Sequence, residues 1–141
     1  MLIGGPTIGF YDPWMLRIER AHYILYVADQ QRSSRFYTAV LAMEPHLDVP
    51  GMTEFALGAS AVLGLMPTGA IKRLLPTLPD PDRGVAAPRA ELYLLVEDPI
   101  AAHRRALDAG ARELSPVGER DWGQMAGYSL DPDGHVLAFA R

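Results

Sequence analysis

The side chains in this sequence that could do chemistry together are one imidazole and one carboxylate, His22 and Glu91. Each stands at the start of an apolar run, and each can bind a divalent ion or transfer a proton. Two ligands hold such an ion weakly, because a catalytic ion takes about three protein ligands and an exchangeable water. The pair could be a remnant, a ligand-anchoring dyad or a general acid and base. His22 could equally form a hydrogen bond near a sheet edge.

Few other residues suggest catalysis. The chain has no cysteine, which excludes disulfides, thiolate metal sites and cysteine nucleophiles. No serine stands in the pattern of a hydrolase nucleophile. We expect His46 and His103 to be surface residues without partners.

The stretch "DPDG" near the end predicts a tight turn between two strands. Asp131, Pro132 and Gly134 suit positions i, i+1 and i+3 of a type I turn. The strand that follows, "HVLAFA", carries Ala138 in its middle, and an alanine side chain cannot bind a metal ion.

An internal repeat organises the elements that must position these residues. "HYILYVADQQRSSRFYTAVL" and "ELYLLVEDPIAAHRRALDAG" are offset by 69 residues (91 − 22 and 98 − 29). Each is a strand-like run that leads to an N-cap aspartate, Asp29 or Asp98, and then to a helix. The first helix should end near Leu41 and the second at Gly110. Three strand candidates follow each helix, near 45–49, 53–58 and 61–67 and near 112–116, 124–130 and 135–140. Each half therefore reads as a βαβββ unit.

Length and charge restrict the class of protein. The 141 residues suit one domain, and the net charge of −4 without a basic cluster argues against nucleic-acid binding. No apolar run is long enough for a membrane span, and the first residues lack a signal-peptide pattern. We expect a cytoplasmic protein, with residues 1–14 as a mobile arm or a stretch before an alternative start at Met15. Few lysines beside many arginines are typical of a GC-rich bacterial genome.

The paired units, the "DAGA" after the second helix and the closing "DWGQMAGYSLDPDGHVLAFA" resemble the vicinal oxygen chelate superfamily. This group includes glyoxalase I, extradiol dioxygenases, fosfomycin resistance enzymes and bleomycin resistance proteins. The resemblance implies an α+β fold, with two βαβββ modules forming a curled mixed sheet around an open cup. It also implies a homodimer, and leaves open whether the modules pair within a chain or across it. The expected divisions are an N-terminal extension (1–16), a first module (17–68), a proline-rich connector (69–89) and a second module (90–141).

The resemblance also implies where metal ligands would stand. His22 matches a histidine ligand on the first strand, and Glu91 matches the ligand position that opens the second module. Gly64 and Ala138 fall where each module's last strand would carry a glutamate. The ligand set is therefore incomplete. We expect no cofactor, although His22 and Glu91 would hold a divalent metal if a neighbour or a substrate completed the shell.

Strand alternation indicates the remaining lining of the cup. Tyr26 should point to the same side as His22, and Tyr93 to the same side as Glu91. Gly64 and Ala138 would leave space, and Trp122 would add a flat stacking surface. The sequence predicts a protein that binds a small organic molecule in this cup. The alternatives are a metal-dependent lyase, isomerase or dioxygenase that uses His22 and Glu91, and a homologue without a ligand.

Overall fold

The first half of the chain forms one sheet with a helix on it. The computed structural model describes residues 13–84 and 87–141, so most of the predicted N-terminal extension lies outside the described residues. The first elements are β1 (Ala21–Val27), α1 (Gln30–Leu41), β2 (Leu47–Val49), β3 (Met52–Leu57) and β4 (Ala61–Pro67). The strand order is β1-β4-β3-β2, with β1 parallel to β4 and the other pairs antiparallel. The Asp29 side chain accepts a hydrogen bond from the Arg32 N–H, which confirms the predicted N-cap.

The connector contains helical turns that its prolines did not indicate. The helix α2 (Thr68–Leu74) follows β4 directly, and a short 3₁₀ helix spans Pro81–Gly84. Ile71 of α2 is buried, and Lys72 forms ion pairs with Asp80 and Asp82. The prolines lie outside α2, so they limit the length of this helix and do not prevent it from forming.

The second half repeats the first. Its elements are β5 (Glu91–Leu95), α3 (Pro99–Asp108), β6 (Arg112–Glu119), β7 (Met125–Leu130) and β8 (Val136–Ala140). The strand order is β5-β8-β7-β6, which is the order of the first sheet. Asp98 caps α3, Pro99 is its first residue, and Gly110 follows its end with a positive φ of 109°. The predicted α+β fold with two βαβββ modules is confirmed.

The two helices lie between the two sheets. α1 packs on the first sheet, α3 packs on the second, and the helices contact each other. The buried core contains Phe36, Val40, Phe55, Leu63, Ala102, Ala106, Leu137 and Phe139. One core therefore joins the helix-facing sides of both sheets, and the opposite sides of the sheets face away from it.

The predicted "DPDG" turn is confirmed, and it also joins the modules. The Gly134 N–H donates to the Asp131 carbonyl at 3.0 Å, and φ of Gly134 is 84°. The Tyr37 hydroxyl on α1 donates to Asp131 Oδ2 at 2.6 Å. The Ala28 N–H donates to Asp133 Oδ1 at 2.8 Å. No helix in the described ranges is long and apolar enough to cross a membrane.

Candidate functional site

The strand register assigns most of the candidate residues to the two sheet faces that point away from the helices. The first outer face, on β1-β4-β3, carries His22, Ile24, Tyr26, Met52, Glu54, Val62, Gly64 and Met66. The second outer face, on β5-β8-β7, carries Glu91, Tyr93, Leu95, Ala126, Tyr128, Leu130, Val136, Ala138 and Ala140. Both faces follow from the period of two along each strand.

On the first outer face, His22 pairs with a carboxylate of its own module. His22 Nδ1 lies 3.2 Å from Glu54 Oε2, and His46 Nε2 lies 3.2 Å from Glu54 Oε1. The expectation that His46 has no partner is wrong, because the β2–β3 hairpin places it beside Glu54. Glu54 thus bridges two imidazoles, and its side chain is only 15% exposed.

Gly64 is not an empty position. It lies in register between Ile24 on β1 and Glu54 on β3. A Cβ atom at Gly64 would overlap Ile24 Cδ1 and lie 3.2 Å from Met52 Sδ. The neighbouring strand β3 carries a carboxylate, that of Glu54, in register with this position.

Ala138 is also enclosed by its neighbours. It lies in register between Tyr93 on β5 and Tyr128 on β7, and it is completely buried although it belongs to an outer face. A small residue at Ala138 lets aromatic side chains cover the sheet. The second outer face is therefore aromatic where a closing carboxylate would stand.

Trp122 belongs to this aromatic surface. Its Nε1 donates to the Tyr93 hydroxyl at 3.1 Å and to Gln124 Oε1 at 3.2 Å, and the Tyr93 hydroxyl donates to Gln124 Oε1 at 2.6 Å. The polar atoms of both rings are thereby satisfied, while 58% of Trp122 stays exposed. We call Tyr93, Trp122 and Tyr128 the aromatic shelf. Sequence reasoning missed Gln124, because an amide in a turn carries no signal of its partner.

Charged groups flank the aromatic shelf. Arg120 lies over the Tyr128 ring, with Cζ 5.1 Å from the ring centroid. Burial, more than any charge, raises the pKa of Tyr128, and nearby Glu91 raises it further while Arg120 lowers it. The carboxylate of Glu91 and the guanidinium of Arg120 therefore both act on the same ring.

The structure does not bring His22 and Glu91 together within one chain. They lie on outer faces of different sheets, with the helices between. A groove of about 590 Å³ between the modules and a pocket of about 290 Å³ at Tyr26 are lined by neither residue. Within the described ranges, no group of three or more His, Asp or Glu residues is arranged to hold a metal ion.

His103 lies away from both outer faces. It is 5% exposed, and its Nε2 lies 2.8 Å from Glu113 Oε2. The expectation of a surface residue without a partner is wrong, since the ring fills the space beside Gly127, where a Cβ would lie 2.9 Å from His103 Nδ1.

Comparison with known proteins gives a family and a fold. The model of the Glyoxalase/Bleomycin resistance protein/Dioxygenase superfamily matches residues 20–139. A glyoxalase-related enzyme from Fulvimarina pelagi is similar in structure, with a TM-score of 0.73, 22% identity and 85% of each chain covered. A family enzyme from Burkholderia phytofirmans PsJN is similar with a TM-score of 0.71, 16% identity, and 84% of this chain and 94% of that chain covered.

TioX from Micromonospora sp. ML1 is more distant, with a TM-score of 0.61 and 17% identity over 86% of this chain and 97% of that chain. None of the curated proteins compared with the chain matches it in sequence. At these low sequence identities the structural similarity shows a shared fold and does not indicate a shared activity.

Proposed function

Because the chain belongs to the Glyoxalase/Bleomycin resistance protein/Dioxygenase superfamily, we propose that it binds a small planar organic molecule on the aromatic shelf, without a metal ion. The observation that carries this proposal is the hydrogen-bonded set of Tyr93, Trp122 and Gln124. Their polar atoms satisfy one another, so the exposed surface that remains is aromatic. Such a surface stacks well on a flat ring.

The four positions to which the resemblance assigns metal ligands do not suit a divalent ion. Gly64 and Ala138 have no donor atoms, Ala138 is completely buried, and the ends of the Ile24 and Met52 side chains lie close to where a Cβ at Gly64 would stand. His22 already faces Glu54, which lies on the same sheet. The imidazole of His22 and the distant carboxylate of Glu91 supply too few ligands for the coordination shell of a divalent ion.

A second copy of the chain would complete the cup. Each outer face has exposed apolar side chains on it or beside it in one chain: Leu47 and Val49 beside the first are 36% and 45% exposed, and Leu95 on the second is 65% exposed. Apolar sheet faces of this kind are normally covered. In a two-fold dimer the first outer face of one chain would cover the second outer face of its partner, and two equal cups would form.

The test is ligand binding measured by thermal shift with planar aromatic amides, such as naphthalene-2-carboxamide. Saturating ligand should raise Tm by several degrees, because a ligand that binds only the folded state stabilises it. Trp122→Ala should weaken binding at least about fivefold, since base-sized aromatic stacking contributes about 1–3 kcal/mol. Trp14→Ala is the matched control, because Trp14 is 93% exposed and precedes the first strand, β1.

Two results would contradict the proposal. One is unchanged amide binding in Trp122→Ala. The other is about one divalent ion per chain after purification without a chelator, which would favour a metal-dependent lyase, isomerase or dioxygenase that uses His22 and Glu91.

A further inference from the structure

Arg120 holds the rim of the aromatic shelf in a fixed position. Its Nε donates to the Ala126 carbonyl at 3.0 Å, and its Nη2 donates to Ser115 Oγ at 2.9 Å, the Pro116 carbonyl at 2.9 Å and the Ala126 carbonyl at 2.6 Å. The pairing of β6 with β7 shifts register on either side of Ser115, so the acceptors on Ser115 and Pro116 lie in the irregular part of this hairpin. The guanidinium is therefore oriented before any ligand arrives, which lowers the entropy cost of using it.

The same guanidinium has hydrogen-bond donors and a positive charge that no protein group of the described residues uses. All of its acceptors are neutral, and no carboxylate of the described residues forms an ion pair with it. Nη1 has no protein acceptor among the described residues and does not count among the buried unpartnered atoms, so solvent reaches it. Two donors and a full positive charge thus remain at the edge of the shelf.

The nearby carboxylate of Glu91 does not neutralise the guanidinium of Arg120. Glu91 is the carboxylate whose field acts on Tyr128, and it is exposed to water, which screens it. The ring under the guanidinium is Tyr128, and its face favours a cation at this place. A ligand that lies on the shelf therefore meets a fixed cation at one end.

We propose that Arg120 selects planar ligands that carry an anionic group, such as an aromatic carboxylate, at the second outer face. The inference rests on the proposed function, because it specifies the charge of the molecule that the aromatic shelf binds. The carboxylate accepts from Nη1, and the ring stacks beside Trp122. Charge-assisted hydrogen bonds of this kind are about twice as strong as neutral ones.

Three probes of the same shape test this directly: naphthalene-2-carboxylate, naphthalene-2-carboxamide and naphthalene-2-carboxamidine. Calorimetric titration measures the three affinities, because the naphthalene ring itself absorbs and fluoresces in the range of tryptophan. The carboxylate should bind about tenfold more tightly than the amide, and the amidinium most weakly. The preference for the carboxylate should shrink as salt rises.

Variants separate the charge from the hairpin contacts. Arg120→Gln should bind the carboxylate and the amide with equal affinity. Arg120→Lys keeps the positive charge and should still bind the carboxylate about threefold more tightly than the amide. It also loses most of the contacts of Arg120 with the β6–β7 hairpin, so a preference that survives in this variant shows that the charge matters and not the hairpin contacts alone. Glu91→Gln is the matched charge control, and it should tighten carboxylate binding about twofold because it removes a like charge.

The outcomes distinguish the two proposals. Equal binding of carboxylate and amide by the parent protein, or tighter binding of the amidinium, overturns the role of Arg120 and leaves the aromatic shelf as a binding site. An unchanged preference for the carboxylate in folded Arg120→Gln overturns it as well. If none of the three probes binds, both proposals fail.

Discussion

Neighbouring side chains occupy the space around Ala138 and Gly64. Ala138 is fully buried between Tyr93 and Tyr128, and a Cβ at Gly64 would overlap Ile24. In both places aromatic or aliphatic packing stands where the resemblance assigns a carboxylate. Restoring the carboxylates would therefore have to displace packed side chains before it could create a metal site.

Ala138→Glu should accordingly destabilise the fold. A carboxylate at this fully buried position must leave water and push apart the packed side chains around it, and we expect a loss of about 2–4 kcal/mol in the free energy of unfolding. Urea denaturation measures it. Ala59→Glu, in the exposed β3–β4 turn, is the control and should stay within about 0.5 kcal/mol of the parent. An Ala138→Glu protein as stable as the parent would show that the shelf can open around a carboxylate.

Tyr37 should make stability depend on alkaline pH. Burial, followed by the charge and hydrogen bond of Asp131, raises the pKa of Tyr37 well above the ordinary value of about 10. A raised pKa in the folded state adds stability that is complete below pH 10 and is lost as pH rises beyond it.

Tyr37→Phe should remove that alkaline dependence. It should also lower the free energy of unfolding by about 1–3 kcal/mol at pH 7, since Asp131 Oδ2 would lose its buried donor. Denaturation curves between pH 7 and pH 11 check both effects. A phenylalanine variant that still loses stability steeply above pH 10 would assign the effect to another group.

The pairing of His22 could not be predicted from the sequence, although its place on an outer face could. Alternation along β1 gives the face, whereas the contact with Glu54 depends on β3 lying two strands away from β1 in one particular register. The same holds for Gln124, whose partners come from β5 and from the β6–β7 turn. The register between strands that are distant in sequence is set by packing, and local residue spacing does not predict it.

At the scale of elements, local signals were sufficient for two of the helices and for the strands, but not for α2. The N-cap aspartates, the apolar runs and the "DPDG" turn predicted α1, α3 and the strands, because caps and turn residues act on backbone groups a few positions away. The helix α2 was missed. Ile71 of this helix is buried, whereas the ion pairs of Lys72 are exposed and contribute little. The helix therefore depends on tertiary packing instead of on a side-chain cap.

The "DPDG" turn contains a largely buried carboxylate, Asp133, whose charged form lowers the stability of the fold. Burial raises the pKa of Asp133, while the Ala28 N–H and Arg32 lower it in part, and its Oδ2 has no partner among the described residues. Because the folded pKa is raised, the stabilising contribution of Asp133 is complete below about pH 4 and is lost as pH rises.

Asp133→Asn should therefore be neutral or stabilising at pH 7. The amide oxygen can still accept from Ala28, and the repulsion by Asp131 disappears. We expect a gain of up to about 1 kcal/mol and a flatter stability profile between pH 4 and pH 7. Thermal denaturation across that range measures it. A loss of about 2 kcal/mol or more would show that the ion pair with Arg32, at 3.6 Å, outweighs desolvation.

For the whole molecule, the sequence predicted two modules and left their relation open. The repeat fixes two equal units, but the side of each sheet on which the other unit packs depends on α1 meeting α3 in a shared core. This arrangement separates His22 from Glu91 by placing them on outer faces of different sheets. We therefore expect each complete cup to need two chains.

Mixing two defective variants tests this central claim most directly. His22→Trp fills the first outer face with a larger ring, and Trp122→Ala removes the stacking surface from the second. If the two faces form one cup, each variant alone should bind naphthalene-2-carboxamide at least about fivefold more weakly than the parent. When the two are unfolded together and refolded, a cup shared between chains predicts that roughly one quarter of all cups regain parental affinity, because half of the dimers are mixed and each has one intact cup. Titration of the mixture showing no high-affinity sites, or a monomeric parent with full affinity, would contradict the account.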